Sequence, residues 1–139
     1  MNILQFTVHG IPAPQGSKRH IGRGVMIESS KKVKPWREAV KWAALEAMRP
    51  HQGKLDGPLL MRVHFYLPRP KAAKAAVACH KMPDLSKLIR ATEDAITEAG
   101  CWADDARVVE VQAIKLYEDS DNRPGARVTI HGWEPHRAA

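Results

Sequence analysis

Between Asp84 and Gly100, the residues Leu85, Leu88, Ile89, Thr92, Ala95, Ile96 and Ala99 recur at spacings of three and one. That periodicity marks the buried stripe of an α-helix and excludes a strand. Asp84 stands where an N-cap belongs, and Gly100 is a natural C-terminal stop. The second strong element is "LLMRVHFYLP", apolar and aromatic and bounded by Pro58 and Pro68, which predicts a strand. "KPWREAVKWAALEAM" predicts another helix, with Pro35 in its first turn and Trp36, Ala39, Val40, Ala43 and Ala47 as its buried stripe. "ILQFTVHG", "VMIES", "ARVVEVQAIKLYE" and "ARVTIHGW" supply four further strands. The order β-β-α-β-α-β-β predicts one α/β domain over residues 1–139, with a mixed sheet, two main helices and a flexible tail at 134–139. Among the aromatic residues, Trp36, Trp42, Phe65, Tyr66 and Trp102 are candidates for the core or for an interface, with the core favoured for each.

Charge is distributed unevenly along this chain of formal net charge +7. Residues 11–41 carry eight basic and two acidic side chains, whereas Pro83–Glu110 carries seven carboxylates and three basic residues. A basic protein suits a polyanionic partner. No apolar run approaches the roughly 20 residues that span a bilayer, and "MNILQFTVHG" lacks a signal pattern, so a cytoplasmic protein with no membrane partner is expected. Cys79 and Cys101 form neither a disulfide framework nor a CxxC pair, and the seven histidines are scattered, which argues against zinc.

The acidic stretch admits two readings. On pattern alone, Asp84 is a cap, Glu93 and Glu98 are solvated helix charges, and Asp104 and Asp105 are turn residues. Against this, "WADDARVV" sets two adjacent carboxylates just before a strand, in a protein otherwise built to attract polyanions. An acidic patch on such a binding face is useful when cations fill it. Mg²⁺ takes one or two protein carboxylates together with waters and a phosphate oxygen, and it activates water toward phosphodiesters. A helix from Asp84 to Gly100 is about 24 Å long, so only tertiary folding can join Asp84 to the Asp104–Asp105 pair.

"PDLSKLIRATEDAITEAGCWADDARVV" resembles the RusA-type Holliday junction resolvases, whose pattern is approximately D-x-D-N/K-L-x-K/R-x-x-x-D-A-L followed by a-x-D-D-x-x-V. The resemblance implies a small homodimeric endonuclease that depends on Mg²⁺, with Mn²⁺ as a possible substitute. Its substrate is branched DNA, a four-way junction that it resolves with paired nicks. Asp84 matches the first aspartate, and Asp104 and Asp105 match the pair, giving the implied metal and catalytic set. Arg90 falls at the basic helix position, where it would contact the scissile phosphate. Asp94 matches a further aspartate whose role is structural or unassigned. Ser86 replaces the second aspartate of the pattern, which weakens the implied cation site.

The basic residues then gain a task. Lys18, Arg19, Arg23, Lys31 and Lys32, with Arg69, Lys71, Lys74 and Lys81 in a connector expected to be mobile, are candidate phosphate contacts. A twofold junction suits a homodimer with one site per protomer. Two alternatives stay open: a junction-binding protein in which Ser86 has removed cleavage, and a basic scaffold whose acidic helix is plain surface.

Overall fold

A computed structural model describes residues 3–15, 18–20, 26–28 and 31–135, without the side chains of 18–20 and 26–28. The chain runs β1 (Leu4–His9), β2 (Lys18–His20), β3 (Met26–Glu28), α1 (Val33–Met48), β4 (Leu59–Leu67), α2 (Leu85–Glu98), β5 (Val108–Tyr117) and β6 (Gly125–Gly132). The predicted order and mixed sheet are both present. The segment after β1 adds one short strand to the expectation, because β2 pairs antiparallel with β3 as a separate hairpin.

The main sheet has the order β1-β6-β4-β5. β6 pairs antiparallel with both β1 and β4, whereas β4 and β5 are parallel. A parallel pair needs a long crossover, and the connector with α2 supplies it. Strand alternation then sorts the side chains. Leu4, Phe6 and Val8 of β1, Met61, Val63 and Phe65 of β4, and Val128 and Ile130 of β6 are all buried in one core. The helices cover that face, and their stripes match the periodicity: Val33, Trp36, Val40 and Ala44 on α1, and Leu88, Ala91, Thr92, Ala95 and Ile96 on α2.

Thr92, the one polar member of the α2 stripe, is paid for by two hydrogen bonds. It accepts from Trp36 Nε1 at 3.3 Å and donates to the Leu88 carbonyl at 2.9 Å. Arg37 of α1 also pairs with Glu98 of α2. Trp36, Phe65, Tyr66 and Trp102 are buried as expected, but Trp42 is 63% exposed. It lies on the outward side of α1, where no element among the described residues buries it.

The connector between β4 and α2 departs from expectation because its backbone is pinned. Ala78 bridges Leu116, the Cys79 N–H donates to the Lys115 carbonyl at 3.1 Å, and the Tyr117 N–H donates to that of Val77 at 3.0 Å. Arg69, a candidate phosphate contact, spends its guanidinium on this work. It donates to the carbonyls of Lys74, Ala76 and Glu118 and lies over the Tyr117 ring. The prolines and lysines of the connector suggested mobility, and nothing in their pattern announced these long-range bonds.

Candidate active site on the outer face of α2

Asp84 occupies the N-cap position of α2 in extended conformation, yet its side chain makes no capping bond. Its carboxylate faces outward, 48% exposed, 3.6 Å from Lys87 Nζ. The approach to it is held from below. Lys115 Nζ donates to the Pro83 carbonyl at 2.7 Å and also to that of Lys81, fixing the peptide that leads into the helix. The Gln15 N–H donates to the Lys87 carbonyl at 3.2 Å, so the loop after β1 packs against the first turn of α2.

Ser86, Arg90 and Glu93 follow at i, i+4 and i+7, and therefore share the face of α2 opposite its buried stripe. Ser86 and Arg90 are exposed, whereas Glu93 is half-buried. Glu93 is the group whose environment differs most from the sequence expectation. Desolvation and then the nearby charges of Asp105 and Asp94 push its carboxyl up to about 7. Asp105 therefore stands against the middle of α2. The helix rise puts Glu93 about 13 Å along the axis from Asp84.

The return of the chain to this point depends on how α2 ends. Gly100 has φ +80°, the Gly100 N–H donates to the Thr97 carbonyl, and the Cys101 N–H donates to that of Ile96. These are the two bonds of a Schellman cap. Trp102 then inserts into the core and donates from Nε1 to Thr97 Oγ1 at 2.7 Å. The chain next turns through a single 3-10 turn, Asp105–Arg107, into β5. Asp104 caps that turn, accepting from the Ala106 N–H at 2.9 Å, and Arg107 Nε bonds Asp56 at 2.9 Å. The adjacent aspartates thus differ: Asp104 holds the turn, and Asp105 is presented toward Glu93.

A family profile described as endodeoxyribonuclease RusA matches residues 9–131. The chain belongs to the RusA family. Crossover junction endodeoxyribonuclease RusA of Enterobacteria phage 82 is 38% identical over 66 residues, covering 44% of this chain and 54% of that protein. The same-named protein of Escherichia coli (strain K12) matches equally. This chain thus spans about half the length of those RusA nucleases. An uncharacterised Bacillus subtilis protein, YqaN, is 28% identical over 132 residues, 86% of this chain and 91% of its own length.

The RusA pattern thus maps onto the start of α2, its outer face and the turn before β5. Asp105 stands against Glu93, and among the described residues no cluster of three acidic side chains joins Asp84 to them. Lys31, Lys32, Lys71, Lys74 and Lys81 are exposed. Lys18 and Arg19 lie on β2, with side chains outside the description, and Arg23 lies outside the described residues. Asp94 is half-buried beside Glu93. Glu93 is the residue that sequence reasoning undervalued. Its i+3 relation to Arg90 was visible, but the turn that covers it was not. Both thiols are buried, and burial pushes the Cys101 thiol up to about 11, which makes it unreactive.

Proposed function

We propose that this protein is a divalent-metal-dependent endonuclease that resolves four-way DNA junctions by paired nicks as a homodimer. The observation that carries the reading is the outer face of α2. Uncapped Asp84 at its start, Arg90, and Glu93 set against Asp105 stand in a chain of net charge +7 whose Lys32 and Lys81 line a groove next to Pro83. No helix among the described residues is long and apolar enough to cross a membrane.

The donor chemistry suits Mg²⁺, which uses hard oxygen ligands and commonly only one or two protein carboxylates. Asp105 and Glu93 provide such a pair; the proton affinity of Glu93 is raised first by burial and then by the charges of Asp105 and Asp94, and a bound cation would oppose both effects. Among the described residues, no group of three His, Cys, Asp or Glu side chains could hold an ion. Water and DNA phosphate oxygens would therefore complete the coordination. Asp84 lies about 13 Å along the helix axis from Glu93 and so shares no single ion with it; Asp84 and Asp104 are the remaining carboxylates that the family pattern implies. When bound, the metal would supply an activated water and charge neutralisation at the leaving oxygen.

The chain's own groups do the positioning. Arg90 holds the non-bridging oxygens of the scissile phosphate and offsets their developing charge. Ser86 lowers the carboxylate count of the family pattern by one, and Glu93, further along the same face, compensates for it. The homodimer is supported by β5, one of the two edge strands of the main sheet, whose Val109, Val111 and Ile114 are exposed ahead of the end that the connector covers. A second copy covering that edge would bury an apolar strand that otherwise invites association.

The test is an end-labelled four-way junction incubated with purified protein, with and without Mg²⁺ or Mn²⁺. Symmetric metal-dependent nicks are expected. Tight junction binding without nicks at any metal concentration favours the reading in which Ser86 has removed cleavage. Equal affinity for junction and duplex, with no nicks, contradicts both.

A further inference from the structure

Beside Asp84 the surface opens into a groove of about 460 Å³ that the chemistry above does not use. Its floor includes buried Leu67 and Tyr117, and Ile11 and Met82 form its lips, 49% and 74% exposed. Prolines of three segments wall it: Pro12 and Pro14, Pro68 and Pro70, and Pro83, the residue before Asp84. Among the described residues, Lys32 and Lys81 are the charged ones that line it. An apolar slot with a cationic rim fits a flat apolar body flanked by anionic groups, which describes a nucleotide. Its size is that of a small-molecule site and cannot admit a double helix.

The slot's position favours DNA as the occupant. The chain leaves one wall after Pro14 for the hairpin that carries Lys18 and Arg19 and returns at Lys32. Pro83 belongs both to the slot and to the peptide that leads into Asp84, so a strand with a phosphate at Asp84 has its neighbouring nucleotide at the slot. Proline walls are stiff and present no N–H at those positions. The slot is thus preorganised, and it recognises a base by shape and stacking rather than by its hydrogen-bonding edge.

We propose that this groove seats one unstacked nucleobase from the branch point, with Lys32 and Lys81 holding the phosphates beside it, and so sets the preference for branched over duplex DNA. Extruding a base from continuous duplex is costly, and the cost is least where a base is already unpaired. The inference rests on the nuclease reading above.

The test compares junction and duplex dissociation constants in EDTA for wild type and for the Ile11→Ser/Met82→Ser double variant. Both side chains are exposed, so the fold is retained, and circular dichroism checks this. Junction affinity is expected to fall about tenfold, the scale of one lost stacking contact, while duplex affinity changes less than about twofold. With 2-aminopurine placed in turn at each branch-point nucleotide, fluorescence at one position should rise with wild type and not with the double variant. A double variant with the wild-type junction-to-duplex ratio and fluorescence, from a wild type that does nick junctions, overturns this inference alone. A wild type that neither prefers nor nicks junctions removes the nuclease reading and the inference together. An unchanged ratio accompanied by a lower sedimentation mass would assign the groove to a second copy of the chain and overturn the proposal.

Discussion

Asp84 and Asp104 show how two similar aspartates at turn positions acquire different tasks. Asp104 is committed to the Ala106 N–H, whereas Asp84 leaves its cap position unused and its carboxylate available. Glu93 adds a titration that can be measured without DNA. In the unfolded chain it loses its proton near 4.5, and in the folded, metal-free protein near 7. The folded state therefore holds the extra proton between those values. The stability it confers is full below about 4.5 and is lost as pH rises through about 7. Because Glu93 is partly exposed, the loss is on the order of 1 kcal/mol rather than the full value of the shift. Urea denaturation in EDTA at pH 5 and pH 8 should show it in wild type and not in Glu93→Gln. At Arg90, Ala should lower kcat about 100-fold with KM little changed, as expected for a group acting on transition-state charge. Ser86→Asp should raise cleavage at limiting Mg²⁺, and no gain would mean that Glu93 already compensates fully.

At the scale of elements, most of the frame was legible from the sequence. The stripe of α2 from Leu88 to Ile96, its stop at Gly100, and the strand at Leu59–Leu67 all follow local periodicity and turn chemistry. What could not be read depends on contacts between distant segments. Arg69 looked like a phosphate contact until the carbonyls of Ala76 and Glu118 claimed it. The connector looked mobile until its backbone paired with the end of β5. Glu93 looked solvated because its burial and the approach of Asp105 arise from tertiary folding. For the site, the sequence placed Asp84, Arg90 and Asp105 on the right elements but gave no distances between them. Two substitutions probe these supports. Gly100→Ala forces a left-handed backbone on a residue with a Cβ and should cost roughly 1 kcal/mol in denaturation. Lys115→Met releases the Lys81 and Pro83 carbonyls, and should lower kcat more than it lowers stability.

Across the whole molecule, opposite charges are concentrated in separate segments, the basic one at 11–41 and the acidic one at 83–110. The five exposed lysines at 31, 32, 71, 74 and 81 predict steep salt dependence. If each meets a phosphate, log K should fall with log salt at a slope of about −4.5. A slope near zero would place the lysines away from the DNA. The central claim is that Asp105, brought against α2, belongs to the chemistry rather than to the fold. The direct measurement is single-turnover cleavage of a four-way junction by wild type and Asp105→Asn, with junction affinity recorded for both. The account predicts Mg²⁺-dependent nicking by wild type and none by Asp105→Asn, at comparable affinity. Wild-type cleavage rates in the Asp105→Asn variant would contradict it.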